Sequence, residues 1–180
     1  MADAALTHRL ATAEDIPALA ELMAAAIAQL QKGFLSDAQI ASSRMIMGLD
    51  RQLIDDGTYF IVECDDQLAG SGGWSRRATL YGGDHSPGRD AALFDPKKDP
   101  ARVRAMYTSP DFARRGVGRL ILELCEQAAK AEGFTRVELA GTMSGQPLYA
   151  ACGYQVIEPF EDDRGGVAVP LVRMGKALIR

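Results

Sequence analysis

Apolar residues at Ile16, Leu19, Leu22, Met23, Ala26, Ile27 and Leu30 recur every three or four positions, the spacing that gathers side chains on one face of an α-helix. Pro17 fits only a first turn, where its missing N–H leaves no bond unmade, so the spacing predicts a helix from about Glu14 to a stop before Gly33. A short strand over Ala5 to Leu10 precedes it. Residues 34–55 carry a second helical pattern through Ile40, Met45, Ile46, Leu49, Leu53 and Ile54, capped by Ser36 and interrupted by Gly48 and Asp50, which predicts two pieces and not one rod. Tyr59 to Glu63 and Gln67 to Trp74 read as antiparallel strands joined by a tight turn at Asp65 and Asp66.

A stretch rich in Gly, Pro and Asp, residues 82–100, then departs from any core pattern and is long enough to carry function. Arg102 to Thr108 returns as a strand and is broken by Ser109-Pro110-Asp111. Val117, Leu120, Ile121, Leu124, Cys125 and Ala128 trace the apolar face of a helix that Gly133 ends. Thr135 to Ala140, Tyr154 to Pro159 and Val167 to Met174 are predicted strands, with a short helix over Ser144 to Ala151. Mixed strands and helices with a strand-helix-strand crossover, and no linker long enough to divide them, predict one α/β domain over residues 1–180.

Composition narrows the class. A hydrophobic fraction of 47% with 24% charged residues is that of a soluble globular chain, and no apolar run is long enough for a membrane span. The start, MADAALTHRL, lacks the pattern of a secretory signal, so a cytoplasmic location is the expectation. Cys64, Cys125 and Cys152 are odd in number and widely spaced, which argues against a disulfide framework and a zinc cluster alike. A net charge of −4 supplies no general field for nucleic acid.

The chemistry concentrates where a strand runs into a helix, in MYTSPDFARRGVGRLILELCEQA. The first N–H groups of a helix have no internal partners and carry partial positive charge, so an anion placed there gains several hydrogen bonds at once. Gly116 and Gly118 allow a close approach to backbone, and Arg114, Arg115 and Arg119 add charge at the same spot. Glycines that serve a tight turn and arginines that are merely solvated would be the bland alternative. The coincidence of strand end, helix start, two glycines and three arginines favours an anion site. Neither the P-loop pattern nor GxGxxG fits, since GK[ST] is absent and Ile121 stands where the third glycine belongs.

At these residues the chain resembles the GNAT N-acetyltransferase superfamily, whose motif Q/R-x-x-G-x-G/A is matched by ARRGVG at 113–118, with Ala113 in place of the usual Gln or Arg. PLYAACGY, further on, is similar to the family's tyrosine-bearing helix and the Gly-aromatic strand after it. The resemblance implies a mixed, mostly antiparallel sheet of about six to seven strands with a splayed central pair, flanked by about four helices. It implies acetyl-CoA as co-substrate, without metal. Met106, Tyr107 and Thr108 would offer strand backbone to pantetheine, with the Tyr107 N–H near the oxyanion. Arg114, Arg115, Gly116, Val117, Gly118 and Arg119 would hold the pyrophosphate, and Ser144 would bond the cofactor.

Tyr149 falls where many members carry a tyrosine that protonates the leaving thiolate, and a phenol near pKa 10 keeps its proton at neutral pH. A core tyrosine anchored by its hydroxyl is the alternative, and Tyr154 fits that description better. No base stands out. Glu63, Asp84, His85 and Glu158 have suitable chemistry, as does a chain of water. The acceptor, a small-molecule or peptide amine, is expected against residues 24–50, Trp74 and the 82–100 loop, with Phe34, Trp74, Phe94 and Phe160 as candidates for an apolar slot. That loop suits an acceptor lid equally with a surface insertion or a contact in a homodimer. A noncatalytic acyl-CoA sensor is the competing function; nucleic-acid binding lacks both the basic surface and the interleaved aromatics it needs.

Overall fold

The computed structural model describes residues 4–179. Seven strands form one sheet: β1 (Leu6–Leu10), β2 (Tyr59–Cys64), β3 (Gln67–Ser75), β4 (Ala101–Thr108), β5 (Arg136–Thr142), β6 (Gln155–Asp162) and β7 (Val169–Ala177), in the order β1-β2-β3-β4-β5-β7-β6. Five helices accompany them: α1 (Ile16–Gln29), α2 (Asp37–Ile46), α3 (Arg51–Asp55), α4 (Val117–Ala131) and α5 (Gln146–Ala151). The expected α/β class with a mixed, mostly antiparallel sheet is what forms. Residues 34–55 do divide, because Ser36 caps α2 through the Gln39 N–H and Asp50 caps α3 through the Gln52 N–H. Strands β5, β6 and β7 run past their expected ends, since ladder pairing carries on through polar residues such as Thr142, Asp162 and Lys176.

The core follows from alternation along the strands. On β2, Tyr59 and Ile61 pack with Leu19, Leu22 and Met23 of α1, while Val62 and Cys64 pack with Val117, Ile121 and Cys125 of α4. The sheet is thus a middle layer, with α1 on one face and α4 on the other. On β3, Gly70 and Gly72 lie beneath α4: a Cβ on Gly70 would stand 2.5 Å from Val117 Cγ1, and one on Gly72 2.6 Å from Ile121 Cγ2. The missing side chains let α4 approach the sheet closely.

Two irregularities shape the centre of the sheet. Strands β4 and β5, its one parallel pair, register only at Ala101–Val137 and Arg102–Glu138 and then part. The splayed pair expected from the family resemblance is present. Strand β4 also carries a bulge, for Ser71 faces Tyr107 whereas Gly73 faces Arg104, so β4 spends three residues where β3 spends two. Ala105 takes up the excess at φ +50, left-handed geometry that is strained for a residue with a Cβ. The buried Tyr59 hydroxyl holds this turn of the chain, donating to the Ala105 carbonyl at 2.8 Å and lying 2.9 Å from Ser71 Oγ.

Candidate active site

The break after β4 leads into the segment expected to bind an anion. Ser109 closes a 3₁₀ turn over Pro110–Phe112, Arg114 adopts φ +62, and Gly116 adopts φ +83 as the residue capping α4. These two left-handed residues turn the chain into α4, whose first N–H groups have no partner within the helix. Nothing lies within 4 Å of where a Gly116 Cβ would be, so the space in front of the helix end is open. Arg114, Arg115 and Arg119 are exposed, and among the described residues none of them is in an ion pair, whereas Arg9, Arg51, Arg76, Arg77, Arg89, Arg102, Arg104, Arg164 and Arg173 all are. Arg115 lies over the Phe112 ring at 5.4 Å. Gly118 differs from the expectation that it clears space for a phosphate: its absent Cβ would sit 2.5 Å from Leu148 Cδ2, so this glycine lets α4 pack on α5.

From the parting of β4 and β5 a cavity of about 130 Å³ runs under α1 and the 80–82 segment. Met106, Tyr107 and Thr108 line it from β4, and Thr142, Ser144 and Tyr149 line it from the β5 side. Tyr149 is 9% exposed; its hydroxyl reaches Met106 Sδ at 3.9 Å. A thioether is a weak acceptor, so this O–H is available to a stronger one. Burial pushes the Tyr149 phenol above its ordinary value and the Tyr107 phenol up to about 12, so both stay protonated at neutral pH. Ser144 Oγ lies 3.1 Å from Thr142 Oγ1, which also accepts from the Gly145 N–H. Tyr154 is a core residue, its hydroxyl donating to Glu126 at 3.0 Å.

The opposite wall is built from Ala26, Ile27, Leu30 and Gln31 around the end of α1, Met47 and Gly48 after α2, and Leu80, Tyr81 and Gly82. The proposed aromatic slot is not there. Trp74 is buried against Phe134 on the α4 side, Phe34 is 53% exposed, Phe94 packs under Arg102, and Phe160 stacks on Tyr81 outside the lining. Nor do the candidate bases reach the cavity: Glu63 lies near Arg9, Asp84 near Arg51 and Arg89, Glu158 near Arg173, and His85 is exposed.

Residues 76–94 fold back on themselves through the Ala78–Ala92, Thr79–Asp90 and Phe94–Arg76 backbone bonds. They are pinned to α3 by Arg77 on Asp56 and Arg89 on Asp50. Asp50, 1% exposed, also takes Arg104 at 2.8 Å, and Arg104 reaches the Gly82 carbonyl at 2.7 Å. Tyr81 donates to Asp162 at 2.7 Å, and Arg164 closes the same carboxylate from the β6–β7 turn. Gln31, Arg104 and Thr142 escaped the sequence reading; an arginine at 104, inside a strand central to the sheet, was the one readable signal. Among the described residues no cluster of His, Cys, Asp or Glu could hold a metal ion, and no helix is long and apolar enough to cross a membrane.

Residues 21–154 match the model of the acetyltransferase (GNAT) family. The chain is 26% identical over 121 residues to the uncharacterized N-acetyltransferase YsnE of Bacillus subtilis, covering 64% of this chain and 68% of that protein. In fold it is similar to a GCN5-related N-acetyltransferase from Rhodopseudomonas palustris, with a TM-score of 0.73 at 19% identity over 99% of each chain. It also resembles the PaiA N-acetyltransferase of Thermoplasma acidophilum solved with coenzyme A, with a TM-score of 0.64 at 16% identity over 96% of this chain and 99% of the other. With the parted strands, the glycine-capped α4 and a family match over most of its length, the chain belongs to the GNAT family and is an acetyltransferase.

Proposed function

We propose that the protein transfers the acetyl group of acetyl-CoA to a primary amine of a small molecule or peptide, by direct attack within a ternary complex. The observation that carries this is the presence of three features able to take a ligand. They are the open end of α4, whose arginines form no ion pair among the described residues, the parted β4 and β5, and the Tyr149 hydroxyl, each suited to one part of an extended acyl-pantetheine diphosphate. The residues fit such a group: N–H groups of Val117, Gly118 and Arg119 with the arginine side chains for the diphosphate, and β4 backbone from Met106 to Thr108 for the pantetheine amides. Bound there, acetyl-CoA supplies an activated carbonyl and a thiolate leaving group.

The chain's own residues divide the remaining work. Backbone N–H of β4 near Tyr107, turned by the bulge at Ala105, is the proposed oxyanion donor. As the C–N bond forms and the C–S bond breaks, Tyr149 gives its proton to the departing sulfur. No carboxylate or imidazole lines the cavity among the described residues, so the proton released by the amine leaves through water.

The test is thiol release from acetyl-CoA across amines, antibiotics and peptides, with wild type and Tyr149→Phe, alongside calorimetric binding of CoA. Turnover of an amine by wild type, sharply reduced in Tyr149→Phe, supports the reading. Tight CoA binding with no turnover of any amine favours the sensor function, and no CoA binding removes the donor site.

A further inference from the structure

Two side chains in the cavity wall keep hydrogen-bonding capacity that neither the donor site nor the fold uses. Gln31, just past α1, is 4% exposed, and its Oε1 has no hydrogen-bond partner among the described residues. Arg104, immediately before the bulge, is 3% exposed; its Nη2 bonds Asp50 and the Gly82 carbonyl, but its Nε has no partner. Buried groups with unused hydrogen-bonding capacity are costly; Gln31 Oε1 and Arg104 Nε belong to residues that border one cavity, while Arg102 Nε and Arg173 Nε, also without partners among the described residues, belong to residues outside its lining.

The charge around them is lopsided. Arg104 is the one charged residue among those lining the cavity. Its counter-ion Asp50 is shared with Arg89, which also reaches Asp84 at 3.6 Å, and Asp50 caps α3 as well. Burial pulls the Arg104 guanidinium below its ordinary value, with Asp50 pulling the other way. The side chains of Ala26, Ile27, Leu30, Met47 and Leu80 in the same wall are apolar and offer nothing to an ammonium group.

Resting on the acetyltransferase reading, the geometry points to an acceptor that carries a carboxylate beside its amine, an amino acid in the broad sense. Arg104 receives the carboxylate, and Gln31 Oε1 accepts from the amine N–H and orients the lone pair toward the thioester. Both are specificity-determining residues for the acceptor. A guanidinium edge suits a planar carboxylate, and a site that hydrogen-bonds a buried polar group rejects analogues lacking it.

The experiment compares each amino acid of a panel with its carboxamide and its decarboxylated amine. Two readouts are used: kcat and KM from thiol release, and calorimetric binding to the CoA-loaded protein. Wild type is expected to prefer the carboxylates at least about tenfold, in line with a charge-assisted hydrogen bond. Gln31→Leu should raise the acceptor KM about tenfold while leaving the acetyl-CoA KM within about twofold and the melting temperature unchanged or higher, because it removes a group the fold leaves unsatisfied. Arg104→Lys should weaken the same acceptors; since it also loosens Asp50, its melting temperature is measured beside it.

Equal use of carboxamides or decarboxylated amines overturns the inference, as does an unchanged acceptor KM in Gln31→Leu. If no amine of any class turns over while CoA binds, it is the activity reading that fails. The calorimetric arm then still decides: binding of the carboxylates in preference to their carboxamides, weakened in Gln31→Leu, upholds the acceptor class, and equal or absent binding of both series overturns it.

Discussion

At Tyr149 a phenol is held with its O–H toward a soft sulfur, Met106 Sδ at 3.9 Å, and burial keeps its proton in place. If this proton goes to the leaving thiolate, Tyr149→Phe should lower kcat about 100-fold, the low end for general acid catalysis, with CoA affinity within about twofold of wild type. Steady-state kinetics beside CoA calorimetry would check it; a kcat near wild type removes the acid role. Gly116 offers a different kind of test. Its φ of +83 disfavours any side chain, and the open space before it is where a phosphate would sit. Gly116→Glu should weaken CoA binding more than tenfold by charge and bulk, and Gly116→Ala far less, from strain of about 1–2 kcal/mol alone. Equal effects of Glu and Ala on the CoA dissociation constant would show that backbone strain, not anion contact, is what matters at this position.

Among the elements, helices α1 and α4 were legible because each buries a continuous apolar stripe that a period of 3.6 exposes in the sequence. The seat of α4 was not. Gly70, Gly72 and Trp74 are two apart on β3 and therefore share a face, the α4 face, so the alternation that removes Trp74 from the acceptor side was available in the sequence once the strand was recognised. The bulge in β4 had no such signal, because an alanine at positive φ is written nowhere in composition or period. Its effect is large: Val103 faces α4, and strict alternation would send Tyr107 the same way, yet the extra residue returns Tyr107 to the α1 face and Met106 to Tyr149. Gly72→Val should be destabilising by about 1–3 kcal/mol, since a Cβ there meets Ile121 at 2.6 Å and Met106 at 2.9 Å. Urea unfolding measures it; a neutral result would mean that α4 has room to shift.

Over the whole molecule, contacts far apart in sequence close the side proposed for the acceptor. Tyr81, Arg164 and the Pro87 carbonyl meet around Asp162, joining the 76–94 excursion to the β6–β7 turn. The Arg164 side chain, with help from Tyr81 and the Arg164 N–H, holds the Asp162 carboxyl down to about 2, below its value near 3.9 in an unfolded chain. A depressed folded-state pKa means stability that is present above about pH 4 and lost as pH falls toward 2. Melting temperatures of wild type and Asp162→Asn should therefore differ most at pH 5 and above and converge by pH 2. A gap that stays constant with pH would assign the loss to packing. The residues joined here are some eighty apart in the chain, and for that reason no local pattern announced them.

Parting after Arg102 and Glu138, the two central strands leave the sheet one layer of hydrogen bonds short. If pantetheine makes those bonds as proposed, the donor is in effect a removable strand, and the protein's resistance to unfolding becomes a function of how much donor is present. Free donor at about a hundred times its dissociation constant would add about 2.7 kcal/mol by mass action. The protein's lifetime under heat or proteolysis would then rise and fall with the acetyl-CoA supply around it.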